Sequence, residues 1–405
     1  MGEIPSNILK SVSSLDSWIT QNGWKGYDPY DIKGIPWVLD LTESGNKSRF
    51  WAIIRELIFE IFYTFPVLSR NIFRVSREIN PKAMGLFASG YLDLYKITDN
   101  EAFLEKSLVC LDWLTTNKIS TNEASSWGYP FDWQSVMRIP RNTPNGIVTT
   151  AVGDAFWNFY QFTNDKKYLD ECIRICRFLV TLPVDIIDPE RICFSYSPVF
   201  MNHVHNLNMF VAEFLIKTGM LVSNDEWIEL GRKAVNYTVS SQLENGLFDY
   251  NGPPEPAQKH YDNYHTGFLL RMLHSISKLT ERVDVNMALA KGYNSYITNF
   301  FEDETIPKLT PFKKYRIDIH SCAESALCLS LLSDIFPEAI QRANKVLIWS
   351  IKNLQDEKGY FYYGILKSRL TGIRFRSKIP YIRWGQAWML RAISRYLLIL
   401  KQSLN

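Results

Sequence analysis

"GIVTTAVGDAFWNFYQFTNDKKYLDECIRICRFL", residues 146–179, holds two kinds of helix in succession. The first, ending near Phe162, is apolar on almost every side, and such a helix must be covered all round. A polar break at Thr163-Asn164-Asp165 follows, in residue types that favour helix starts. Beyond it the apolar residues recur at helical spacing between charges, which is the pattern of a helix with one buried face.

The same alternation runs along the chain. "TDNEAFLEKSLVCLDWL" at Thr98 and "SNDEWIELGRKAVNYTV" at Ser223 match the amphipathic half at intervals of about 60–65 residues. Helices near Val283 and Pro337 continue this series, and one near Phe50 precedes it, giving six. Between them lie six more uniformly apolar segments, at about 82–97, 145–162, 205–219, 263–279, 319–334 and 384–400. Six amphipathic helices around six buried ones predict an all-α (α/α)6 toroid in a single domain spanning residues 46–405. Residues 1–45 are expected to form an irregular N-terminal extension wrapped on the ring. A second repeat, "QLENGLFDY" from Gln242 and "QDEKGYFYY" from Gln355, follows two of the outer helices and places a glycine where a helix would end.

Composition narrows the function. A net charge of +3 gives no footprint for nucleic acid, while an aromatic share of 14% suits a sugar cleft as well as a large core. Six cysteines without CxxC spacing predict buried, reduced thiols and a cytoplasmic protein. No secretory signal is expected at the N-terminus. The apolar run from Phe50 contains Arg55, Glu56 and Glu60, so it reads as amphipathic rather than membrane-spanning. Packing on neighbouring helices is its first reading, and peripheral contact with the inner membrane face its second.

If the inner helices run parallel, their six N-termini open on one face. Four of the six histidines, His203, His205, His265 and His320, stand at those entrances, with His260 just upstream. Asp262, Asp318, Glu324, Asn145, Asn206, Arg383, Trp384 and Gln386 join them there, and preceding loops add Trp127, Tyr129, Asp132, Trp133, Tyr196 and Arg316. Exposed amide donors at helix starts favour anions, so the face predicts an aromatic, moderately cationic site for a sugar, including one with a carboxylate. Asp262 and Asp318 also read as ordinary helix caps. No HExxH motif or cysteine pair supplies metal-ligand spacing, and GxSxG, P-loop and GxGxxG patterns are absent from the sequence, so neither metal nor cofactor is expected.

Seven motifs, "WGYPFDWQS", "NTPNGIVTTAVGDAF", "CFSYSP", "HNLN", "DNYHTGFLL", "IDIHSCAESAL" and "IPYIRWGQAWM", resemble a family of α/α-toroid proteins encoded with capsular and surface-polysaccharide enzymes. The resemblance covers roughly residues 80–400. Tyr129-Pro130, Asn145-Gly146 and Asp262 with Tyr264, His265 and Thr266 are more distantly similar to the helical domain of glucuronyl C5-epimerases. These resemblances imply an oligo- or polysaccharide substrate and, as partners, membrane-associated glycosyltransferases. Epimerisation of a uronate removes the C5 proton and returns one from the opposite face, which needs two acid/base groups on opposite sides of the ring and a cation for the carboxylate; a lyase shares the first half and then expels the 4-substituent. Tyr264 or His265 would serve one side of the ring and His205 or His320 the other, with Arg383 as a bidentate carboxylate clamp. A glycoside hydrolase would instead draw a carboxylate pair from Asp132, Asp262, Asp318 and Glu324. A non-catalytic glycan-binding scaffold is the third reading.

Overall fold

Asparagine and aspartate punctuate the ring. The computed structural model describes residues 5–121, 123–135, 137–256, 258–259, 261–368 and 371–404. Among them, four helices come first: α1 (Ser6–Asn22), α2 (Pro36–Lys47), α3 (Arg49–Thr64) and α4 (Pro66–Ile72). Inner helices α5 (Pro81–Thr98), α7 (Gly146–Thr163), α9 (His205–Val222) and α11 (Asn263–Thr280) then alternate with outer helices α6 (Glu101–Thr116), α8 (Lys166–Leu179), α10 (Asp225–Ser240) and α12 (Val283–Asn299). Inner α13 (Ile319–Leu331), outer α14 (Ala339–Leu354) and inner α15 (Trp388–Leu404) complete the series. Each inner helix touches the next, and α15 returns to α5, so the inner ring closes.

The two ends of the ring differ because the connections differ. At one end α5, α7, α9 and α11 each stop at a left-handed residue, Asp99, Asn164, Ser223 and Glu281, with φ of 52–55°. That single residue reverses the chain, and the next outer helix starts within a few residues. Asn100, Asp165 and Asn224 cap α6, α8 and α10 through side-chain acceptors. At the other end, long loops with short antiparallel strand pairs lead into the inner helices, where Asn80, Asn145, Asp262 and Asp318 are the caps. The site-building residues therefore collect at this end.

Two features differ from expectation. The sixth outer helix is α1, not the helix near Phe50. Ile8, Val12, Leu15 and Ile19 form its buried stripe, and it packs beside α14 and α15. Asp16 accepts from Tyr91 (2.8 Å) and pairs with Lys106 (2.5 Å), tying α1 to α5 and α6. The segment expected to be irregular is thus largely helical, and α3 buries only Phe62, packing with α2 across the loop end of the ring.

The glutamine-glycine repeat explains how α1 is seated. Gln242 Nε2 donates to the carbonyls of Gly246 and, on α12, Ala288; Gln355 Nε2 donates in the same way to Gly359 and, on α1, Ser11. Gly246 and Gly359 adopt φ of 85° and 98°, and a Cβ on Gly359 would meet the Ser14 carbonyl at 2.1 Å. Each turn thus closes on itself and grips the following outer helix. The six cysteines are all buried and unpaired.

Candidate functional site

Asp262 makes two kinds of contact. As the cap of α11 its Oδ1 accepts from the His265 amide at 2.8 Å, while its Oδ2 lies 2.6 Å from Nδ1 of the same histidine. The i to i+3 spacing at a helix start lets one carboxylate do both. Nδ1 is the donor in that bond, so Nε2 is the nitrogen left for chemistry.

His265 lines a cleft of about 610 Å3 at the loop end of the ring. Tyr264 stands between two histidines: its ring centroid is 4.6 Å from His265 and 4.4 Å from His320. The imidazoles therefore lie within about 9 Å of each other, a span one sugar can bridge. His320 is sandwiched between Tyr264 and Trp384, and neither ring nitrogen has a hydrogen-bond partner among the described residues. Buried polar atoms without partners are rare, and these two belong to a residue lining the cleft. Burial, reinforced by Lys82 and Arg383, holds His320 well below its ordinary range, so it is neutral.

Of the candidate residues, Tyr129, Trp133, Tyr196, Asn206, Arg383 and Trp384 line the same cleft. Tyr129, Tyr196 and Tyr264 are kept protonated, chiefly by burial. Arg383, however, is not free for a substrate carboxylate. Its Nε and Nη2 bond both oxygens of Asp28 at 2.7 and 2.8 Å, so the chain supplies its own carboxylate.

Other expected site residues lie elsewhere. His205 sits beneath Gly252, packs on Tyr237 and bonds Thr238, and burial lowers it to about 3. His203 is clamped between Glu255 (2.9 Å) and Asp185 (2.7 Å). Asp132 accepts from the Arg141 amide and borders a separate recess. Asn145 and Asp318 are buried caps, with Arg316 3.5 Å from Asp318. Glu324 is fully buried against Arg271 (2.6 Å), where burial outweighs the arginine and raises it to about 7. Trp127 is core, donating to the Leu114 carbonyl, and Gln386 bonds both backbone groups of Phe361. His260 lies outside the described residues. Among the described residues no group of His, Cys, Asp and Glu is arranged to hold a metal ion.

The cleft also contains residues outside that candidate set. Lys82, on the first turn of α5, is buried with its ammonium 5.4 and 5.6 Å from the Phe268 and Trp388 rings. Burial, with Arg383 and Arg271 nearby, lowers it to about 7. The N-terminal segment contributes Tyr30, Lys33, Thr42 and Phe59, and the loop before α11 contributes Tyr250, Asn251, Glu255 and Gln258. Lys33 bonds the Tyr63 hydroxyl at 3.0 Å; burial opposes ionisation of that phenol, but Lys33 and Arg316 hold it down to about 8. Lys82 stands at an inner-helix entrance, Asn80-Pro81-Lys82, a position visible in the sequence, whereas its burial is not.

No family model matches the sequence, and no curated protein matches it either. Solved structures do match in fold. A family 76 glycoside hydrolase from a bovine Bacteroides thetaiotaomicron strain aligns with a TM-score of 0.65 at 9% identity, covering 99% of this chain and 79% of that one. An unsaturated glucuronyl hydrolase specific for heparin aligns at 0.60 and 11% identity, covering 98% of each chain. A cellobiose 2-epimerase from Bacillus thermoamylovorans aligns at 0.57 and 10% identity, over 78% of this chain and 88% of that one. At such identities the likeness concerns architecture alone, and it agrees with the closed inner ring: the chain has an (α/α)6 toroid fold in a single domain.

Proposed function

We propose that the protein acts on a uronate-bearing oligo- or polysaccharide by proton transfer at C5, as an epimerase or lyase. The observation that carries this reading is the Asp262-tethered His265 facing the same cleft as the neutral, unpartnered His320. A base whose Nδ1 is anchored to a carboxylate presents Nε2 in one orientation, and the carboxylate stabilises the imidazolium that forms. Lys33 and Lys82 supply positive charge where the substrate carboxylate becomes enolate-like. Lys82, held near 7, can also give up and regain a proton at neutral pH. His320 acts as a hydrogen-bond partner for the sugar rather than as a charged group.

The charge pattern supports this chemistry over hydrolysis. Glu255 is the single carboxylate among the described residues lining the cleft, and it is engaged by His203 and Asn251. Two-carboxylate hydrolysis needs a pair roughly 5–10 Å apart across the bond, whereas of the four expected candidates Asp132, Asp318 and Glu324 lie outside the cleft and Asp262 is bonded to His265 behind its wall. The neighbours of this fold include enzymes whose names denote hydrolysis of glucuronyl sugars and epimerisation, which supports a saccharide substrate. Surface-polysaccharide assembly beside membrane glycosyltransferases is the setting this reading implies. Incubation with uronic-acid polysaccharides in deuterated water tests it: deuterium at C5 or unsaturated ends is expected, and new reducing ends without either would reject it.

A further inference from the structure

Helices α3 and α4 leave an apolar stripe uncovered. Phe50, Ile53, Leu57 and Ile61 on α3, then Leu68 and Ile72 on α4, follow one another at short intervals and are 43–65% exposed. Scattered surface apolar residues are ordinary, but Phe50, Ile53, Leu57 and Ile61 share one face of α3 by helical spacing, and such a row, followed by exposed Leu68 and Ile72, marks an interaction surface. The opposite side of the same segment builds the cleft: Phe59 lines it, and Tyr63 bonds Lys33.

Charge decides the partner. Arg49 stands exposed at one end of the stripe and Arg74 and Arg77 at the other. The two carboxylates between them, Glu56 and Glu60, are half-buried, and Glu56 pairs with Arg55. A second copy laid on this stripe would set arginines against arginines at both ends, whether the helices ran parallel or antiparallel. An anionic lipid surface meets the same cations favourably. Trp51 and Phe73, exposed near the two ends, are residue types that settle at the headgroup level. No helix among the described residues is long and apolar enough to cross a membrane.

We infer that the Phe50–Ile72 face docks the protein on an anionic phospholipid bilayer. The inference needs no particular reaction in the cleft. Vesicle flotation of the full chain tests it, using phosphatidylcholine vesicles with and without about one-third phosphatidylglycerol. The wild type is expected to float with the anionic vesicles, and Ile53→Asp/Leu57→Asp to lose about tenfold or more of that binding with unchanged melting. Arg49→Gln/Arg74→Gln, which leaves the stripe intact, is expected to weaken binding several-fold and flatten its salt dependence. Failure of the wild type to float overturns the inference, as does undiminished flotation of both variants. A wild-type dimer in light scattering that Ile53→Asp/Leu57→Asp converts to monomer overturns it too, assigning the stripe to a second copy.

Discussion

Asp262 lets capping and chemistry be separated by one substitution. Asparagine is as good a helix cap as aspartate, so Asp262→Asn should keep the bond from the helix amide and change stability by within about 1 kcal/mol. The same change removes the charge that sets the His265 tautomer, and turnover should fall about 10²–10⁴-fold. Parallel melting and turnover assays check this, and equal losses in both would reduce Asp262 to a cap. Lys82 makes a pH-dependent prediction. Below about 7 both folded and unfolded chains carry its proton, and the cost of burying the ammonium is complete. Between about 7 and the ordinary 10.5 the folded chain sheds a proton the unfolded chain keeps, so that cost shrinks as pH rises. Lys82→Met should therefore stabilise the fold by about 2–4 kcal/mol at pH 6, with the gap to wild type closing toward pH 10 in denaturant titrations. Their place at an inner-helix entrance made Asp262 and His265 legible from the sequence, though not the bond between them. Lys82 was not, because its burial comes from the rings of Phe268 and Trp388 on distant helices. His203 and His205 could not be sorted either, since the close approach of Gly252 that covers His205 is set by a turn some fifty residues away.

Among elements, α1 carries the ring's closure. Its buried stripe at positions 8, 12, 15 and 19 has helical spacing, yet serines around it keep the segment weakly apolar. The far more apolar α3 drew the outer-helix reading instead, and its exposed stripe shows that apolar content alone does not place a helix in the ring. Two changes test the seating of α1. Gly359→Ala puts a Cβ against the Ser14 carbonyl at a left-handed φ, and should cost about 2 kcal/mol or more by urea unfolding. Asp16→Ala leaves the buried Tyr91 hydroxyl without its acceptor and should cost about 1–3 kcal/mol in the same assay. Equal midpoints for wild type and both variants would mean that α1 does not hold the ring closed. The alternation of buried and amphipathic helices from α5 to α15, by contrast, was legible, because 3.6-residue periodicity is a local property.

At the scale of the whole molecule, the site joins residues far apart in the chain. The bond between Asp28 and Arg383 spans 355 positions, and it converts an expected substrate clamp into an internal ion pair that fixes one wall of the cleft. Such pairings depend on which loops meet at the open end of the ring, and no local pattern reports that. What remains in the cleft is a tethered histidine, a neutral histidine, a lysine near neutrality and one engaged carboxylate. This combination suits moving a proton at carbon more than cleaving a glycosidic bond with paired acids. Nuclear magnetic resonance of a uronic-acid polysaccharide incubated with the protein in deuterated water tests this most directly. Deuterium appearing at C5, or 4,5-unsaturated ends, and lost with Asp262→Asn, is the predicted result; reducing ends accumulating with C5 still protiated would contradict it.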